Sequence, residues 1–128
     1  VVDTDVLSYL YKRDSRAERY RPHLDGRITI ISTQTLAELY HWPERSNWGT
    51  ARRGEFERFL QGYEVFYPDR ETCRLYGKLT ADARRAGYVV PATDAWHAAT
   101  ALRLDLPLVT HNARNFQGIP RLIVVTEP

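Results

Sequence analysis

Ile28-Thr29-Ile30-Ile31-Ser32-Thr33-Gln34-Thr35-Leu36-Ala37-Glu38-Leu39-Tyr40 carries two periodicities in one stretch. Its first four residues are β-branched without a break, the pattern of a buried strand. From Ser32 the pattern turns helical, with Leu36, Ala37, Leu39 and Tyr40 as the apolar side. A strand that runs straight into a helix is the unit of a parallel sheet, because parallel neighbours need a crossover and a helix supplies it. The succession recurs along the chain. Val1-Val2 reads as a short strand before a helix over Thr4–Lys12, and Tyr63–Tyr67 as a strand before a long helix over Asp69–Ala86 closed by Gly87. Leu108–Thr110 and Leu122–Val125 read as the last two strands. Between them, Ser15–Leu24 is expected as a charged helix capped by Ser15, Thr50–Gln61 as an amphipathic helix closed by Gly62, and Asp94–Leu104 as a helix capped by Thr93. The helix after Ile31 is expected to end near Trp42-Pro43. The expected fold is α/β: a three-layer α/β/α sandwich on a central parallel sheet of about four to five strands.

The 128 residues have the size of a single domain, spanning 1–128, and suffice for a core without staples. Cys73 is the only cysteine, so no internal disulfide forms, and a reducing, cytoplasmic setting is expected. No apolar run reaches the length of a membrane span and no signal-peptide pattern is visible. The chain starts at Val rather than Met, so a few residues are expected to precede Val1. A net charge of +2 is too mild to require a nucleic-acid partner. Its make-up says more. Lys12 and Lys78 are the only lysines, so arginine dominates the basic residues. Arginine forks match phosphate oxygens better than lysine does, although a GC-rich genome gives the same bias.

Acidic residues mark the strand exits. Asp3 follows Val1-Val2, and open α/β sheets place their chemistry just outside the carboxyl ends of strands. The next helix would hold that carboxylate charged. The same position also suits an ordinary N-cap, which Asp3 or Asp5 could equally be. Glu38 lies two residues from Leu36, so it faces away from the apolar side and near Thr35; a solvated surface acid is the alternative. Asp94 lies four residues before Ala98 and borders the stripe Ala95, Ala98, Ala99, Leu102. Small alanines let that helix pack closely, which brings Asp94 to the core edge; a first-turn acid held by the helix dipole is the alternative. Thr110-His111-Asn112 leaves the strand that follows.

All strand exits of a parallel sheet share one edge, so these residues can meet there. Clustered carboxylates suit Mg²⁺ or Mn²⁺ rather than zinc. His23, His41, His97 and His111 show no zinc spacing with each other or with Cys73. His97 is expected on a helix surface, and Cys73 as a small core or helix residue. Asp3-Thr4-Asp5 also matches the opening of an aspartate-nucleophile phosphatase. That enzyme needs Thr or Val where Leu7 stands, a downstream Lys other than the mid-helix Lys78, and a later acidic pair that is missing. No glycine-rich phosphate loop and no Ser-His-Asp or Cys-His arrangement is present.

Four segments together resemble the PIN-domain nucleases, and within them the toxins of VapBC-type toxin–antitoxin modules. Val1-Val2-Asp3-Thr4-Asp5-Val6-Leu7 is similar to the family's opening strand and first aspartate. Ile31-Ser32-Thr33-Gln34-Thr35-Leu36-Ala37-Glu38 is similar to its Ser-x-x-Thr-x-x-Glu segment. Asp94-Ala95-Trp96-His97-Ala98-Ala99 resembles its Asp-x-x-Ile-Ala-Ala helix, with Trp96-His97 replacing an aliphatic pair. Leu108-Val109-Thr110-His111-Asn112 through Phe116 resembles its closing segment.

The resemblance implies an α/β/α fold and a metal-dependent endoribonuclease. Asp3, Glu38 and Asp94 would be the metal-binding acids for Mg²⁺ or Mn²⁺, with Asn112 at the fourth acidic position. An amide there removes a charge, which weakens the case for a second metal unless Asp5 compensates. Thr4, Asp5, Ser32, Thr35 and Thr110 would orient the acids. Arginines would grip the RNA backbone, and Trp42 or Trp48 would stack on unpaired bases. The implied partners are RNA, a cognate antitoxin whose tail covers the cleft, and a second copy of the chain; Tyr9, Tyr11, Tyr40 and Trp42 are available for such surfaces or for the core. Two other readings stay open: a PIN nuclease of RNA processing or structured DNA, and a binding module without nuclease activity.

Overall fold

The computed structural model describes residues 1–128. Four strands pair in two parallel ladders: β1 (Ile30–Ser32) with β2 (Glu64–Phe66), and β3 (Leu108–Val109) with β4 (Val124–Val125). The N-terminal residues join the ladders. Val2 N–H donates to the Ile30 carbonyl at 2.9 Å, Val109 N–H to Val1 at 2.7 Å, and Asp3 N–H to Val109 at 2.9 Å. Val2 and Val109 form a parallel bridge. One parallel sheet results, in the order β2, β1, N-terminal segment, β3, β4.

Side chains along the strands alternate between two cores, as a two-residue period requires. Val2, Ile31 and Val109 face one core. It holds Val6 and Leu7 of α1 (Thr4–Lys12), Tyr20 of α2 (Ala17–Leu24), Leu39 of α3 (Thr33–Arg45), and Phe56 and Leu60 of α4 (Thr50–Leu60). Leu108 faces the other, with Leu79 of α5 (Arg70–Arg85) and Ala95, Ala98, Ala99 and Ala101 of α6 (Ala92–Leu104). Helices therefore cover both faces, giving the three-layer α/β/α sandwich that the strand–helix alternation predicts.

Several boundaries differ from the sequence expectation. The first full strand begins at Ile30, not Ile28, whose side chain is exposed. Ser15 does not cap α2. Arg16 holds the N-cap position without a side-chain cap, and the preceding turn is tied by Asp14, whose carboxylate accepts Arg16 N–H at 2.9 Å and whose carbonyl accepts Ala17 N–H at 2.9 Å. Thr93 lies inside α6, whose first turn closes from Ala95 N–H to the Pro91 carbonyl. The α3 helix runs past Pro43 to Arg45. Proline there removes one hydrogen bond in the last turns, and the next survives, from Ser46 N–H to the Trp42 carbonyl at 3.0 Å. The buried Pro43 ring, with its carbonyl taken by Trp48 N–H and the Arg53 guanidinium, compensates for that loss. Cys73 is exposed on α5, not in the core.

The α5 helix starts with a capping box. Asp69 accepts Thr72 N–H at 2.9 Å, and the Thr72 hydroxyl accepts Asp69 N–H at 3.3 Å. Arg103 near the end of α6 sets its guanidinium on the Asp69 carboxylate, Nη2 to Oδ2 at 2.8 Å, while Tyr76 and Trp96 stack at 4.4 Å. Arg103 and Thr72 hold the Asp69 carboxyl well below the ordinary carboxylate range. A depressed acid contributes stability above its unfolded pKa and loses it as pH falls through the folded value. Asp69→Ala should therefore lower the melting temperature most at neutral pH, with the gap to wild type narrowing below about pH 4; calorimetric scans across that range check this.

Candidate metal centre

Local folding rules bring the acids together. Asp3 is the residue at which the N-terminal segment leaves the sheet, and it caps α1. Its Oδ1 accepts Thr4 N–H at 2.7 Å and its Oδ2 accepts the Thr110 hydroxyl at 2.8 Å. The N-cap reading of Asp3 thus holds, and the side chain is buried at the strand exit. On the neighbouring strand Ser32 has the same role. It ends β1 and caps α3 by accepting Thr35 N–H at 3.1 Å. A turn further along, Glu38 lies beside Thr4, whose hydroxyl is 3.2 Å from Glu38 Oε1 and 3.0 Å from Thr35 Oγ1. Asp94, in the first turn of α6, accepts the Asn115 side-chain amide at 2.8 Å.

His97 occupies the centre, and this overturns the expectation that it sits on a helix surface. Its ring is 1% exposed. Nδ1 lies 2.8 Å from Ser32 Oγ, while Nε2 lies 3.4 Å from Asp3 Oδ1 and 3.6 Å from Glu38 Oε1. Asp3, Asp94 and His97 each offer one ligand atom within 4.8 Å of the others. The sequence does carry a signal for His97. From Ala95 to Leu102 no residue carries a charged side chain apart from His97 itself. A helix without a polar face is buried all round, and here His97 to Ala101 are all buried.

Asp5 stands beside this group. It accepts Val6 N–H at 2.6 Å and His111 N–H at 3.1 Å. The His111 ring is held in turn: Nδ1 lies 2.5 Å from the hydroxyl of the buried Tyr20, which accepts Glu127 N–H at 3.1 Å. The sequence marks neither Tyr20 nor Asn115, because each acts through a contact far along the chain. Asn112 is exposed, and only its backbone is engaged: its N–H donates to Thr110 Oγ1 at 3.0 Å and its carbonyl accepts Asn115 N–H at 3.1 Å. No hydrogen bond ties the Asn112 side chain to the acids; the amide that reaches them belongs to Asn115. Trp42 and Trp48 pack with Phe56, and both contact Tyr11, while Arg52 lies over the Trp48 ring at 3.9 Å.

The electrostatics are those of crowded like charges. Burial, then the charge of Asp3, pushes the Asp5 carboxyl up to about 6, against the pull of two backbone N–H groups. Burial also raises Asp94, aided by Asp3 and Glu38 and opposed by the Asn115 amide. Burial alone would lower His97, but Glu38, Asp3 and Asp94 outweigh it and raise it above its usual value. Carboxyls raised like Asp5 and Asp94, beside further hard oxygen donors, fit a divalent cation as counter-charge.

The PIN domain model matches residues 1–122. The chain belongs to the PIN domain family, in its VapC branch. Ribonuclease VapC1 of Haemophilus influenzae is 32% identical over 95% of this chain and 92% of its own length. The tRNA(fMet)-specific endonuclease VapC of Salmonella typhimurium is 29% identical over 94% of the chain and 91% of its own. Among solved structures, VapBC-1 from nontypeable Haemophilus influenzae superposes with a TM-score of 0.80 at 29% identity, covering 98% of this chain and 95% of that one. In this PIN domain the segments around Asp3, Glu38, Asp94 and Thr110 all reach one sheet edge.

A carboxyl raised on folding costs stability above its folded pKa and nothing below its unfolded one. Asp5→Asn should therefore raise the melting temperature of the metal-free PIN domain at pH 7.5. The gain should shrink as pH falls from about 6 towards 3.8, the folded and ordinary values. Thermal scans with a chelator present measure it, and a pH-independent difference would show that Asp5 is not under charge strain.

Proposed function

We propose that this PIN domain is a metal-dependent endoribonuclease that acts as the toxin of a toxin–antitoxin pair. The observation that carries this is the meeting of Asp3, Glu38 and Asp94 around His97 at the strand-exit edge. The relatives support it by name, as Ribonuclease VapC1 and as a tRNA(fMet)-specific endonuclease. Asp3, Glu38 and Asp94 would hold Mg²⁺ or Mn²⁺. Bound there, the ion supplies a Lewis acid for the scissile phosphate and lowers the pKa of water.

The protein itself contributes positioning. Thr4 N–H and the Thr110 hydroxyl fix both oxygens of Asp3. The Thr4 hydroxyl steadies Glu38, and the Asn115 amide fixes one oxygen of Asp94. Ser32 and Thr35 support this set from behind, and Asp5 ties the Thr110–His111 turn to the start of α1. The acidic cleft repels a polyanion unless cations intervene, so the arginines carry RNA binding and make it salt-dependent. The same cleft suits a basic side chain from an antitoxin, a partner supported by the VapBC-1 likeness.

Purified protein with structured and unstructured RNA, with and without Mg²⁺ or Mn²⁺, tests the reading. Cleavage should need the ion. An Asp3→Asn, Asp94→Asn double variant should lose about 100-fold or more, since removing an ion's hold forfeits several kcal/mol of transition-state stabilisation. Equal cleavage by wild type and the double variant would overturn the assignment. Expression alone should arrest growth if the chain is a toxin, and unimpaired growth would count against that role.

A further inference from the structure

Hydroxyl groups behind the site allow one proton arrangement in which His97 carries its proton on Nδ1. A carboxylate only accepts hydrogen bonds. The Thr4 hydroxyl has one proton and two neighbours, Glu38 Oε1 at 3.2 Å and Thr35 Oγ1 at 3.0 Å. The arrangement that satisfies both contacts has Thr4 donating to Glu38 and Thr35 donating to Thr4. Ser32 Oγ then donates to Thr35 Oγ1 at 3.4 Å, so its remaining lone pairs accept Thr35 N–H at 3.1 Å and His97 Nδ1–H at 2.8 Å. Every proton in the chain runs from His97 towards Glu38. In that arrangement a neutral ring presents a bare Nε2 lone pair to the cleft.

That lone pair faces two carboxylates. Nε2 is 3.4 Å from Asp3 Oδ1 and 3.6 Å from Glu38 Oε1, and makes no aligned hydrogen bond to either. Charge-assisted N–H···O contacts are shorter, about 2.7–2.9 Å. Two atoms that each bind one ion at about 2.1 Å lie roughly 3.0–3.4 Å apart across an octahedral or tetrahedral angle. The Nε2–Asp3 spacing is that of two ligands sharing an ion, and an Asp94 oxygen lies within 4.8 Å of both. A His ligand of this kind commonly donates its other N–H to an oxygen that fixes the ring, as Ser32 does here.

We propose that His97 Nε2 is a direct ligand of the divalent ion, making with Asp3 and Asp94 a mixed nitrogen–oxygen site that favours Mn²⁺ over Mg²⁺. Imidazole suits transition ions, whereas Mg²⁺ takes oxygen ligands. The proposal rests on the reading that these acids hold a divalent cation. The other role open to a buried histidine among acids is a permanent imidazolium counter-ion, and it gives the opposite results.

Electron spin echo spectroscopy of the Mn²⁺-loaded full chain separates the two. Wild type should show ¹⁴N modulation from a directly bound imidazole. His97→Gln should lose it and bind Mn²⁺ about tenfold more weakly by calorimetry, with Mg²⁺ binding changed much less. A variant that keeps His97 as its sole histidine, with His23, His41 and His111 each changed to Gln, should retain the modulation. That measurement decides the matter even if His97→Gln does not fold. Mn²⁺ bound without ¹⁴N modulation would overturn His97 ligation and leave the carboxylate centre standing. Modulation that survives in folded His97→Gln would assign it to another histidine and overturn the proposal. No Mn²⁺ binding at millimolar concentration would overturn this proposal and the metal-dependent reading together.

Discussion

The short pairing of Val1–Asp3 between β1 and β3 holds the molecule in one piece. Without it the two ladders share no strand, and the two cores lose the layer between them. Three backbone hydrogen bonds, one to Ile30 on one side and two with Val109 on the other, fix the register. A slip of one residue would send Val2 to the wrong core and turn the Asp3 side chain away from the site. Structure and chemistry are therefore specified by the same few atoms. The strand ends where Asp3 begins, the helix starts where Asp3 caps, and both Asp3 oxygens are claimed before any ligand arrives.

This economy has an electrostatic cost. Asp3, Asp5, Glu38 and Asp94 are gathered at one edge, where burial disfavours charge on Asp5 and Asp94. The fold answers with dipoles rather than cations: backbone N–H groups on Asp3 and Asp5, hydroxyls on Asp3 and Glu38, an amide on Asp94. The arginines pair elsewhere, Arg103 with Asp69 and Arg53 with Glu44. No arginine or lysine forms an ion pair within the cleft, so its negative potential is kept.

Asp3, Glu38 and Asp94 are legible because strand-to-helix junctions are local events written in adjacent residues. Ile30–Ser32 followed by α3 shows both periodicities within a few positions, and the layer order follows from that alternation. What the sequence hides is tertiary. His97 looks exposed because the alanine stripe of α6 suggests a single buried face, whereas α6 is enclosed on several sides. Asn112 draws the eye instead of Asn115 because sequence resemblance aligns positions, not side-chain directions. Ser15 and Thr93 fit the composition of a cap, yet Arg16 and Pro91 hold those places, because a neighbouring turn or proline decides which residue the helix starts from.

Every group that lines the cleft is anchored in a strand end, a helix turn or a hydrogen bond to such an element. The hydroxyl chain from Ser32 to Thr4 leaves its members almost no rotational freedom. Such a centre is assembled when the domain folds and has no separate resting arrangement to fall back to. Its only variables are what enters and what covers it. A centre built this way would be controlled through occupancy rather than through a change of its own shape.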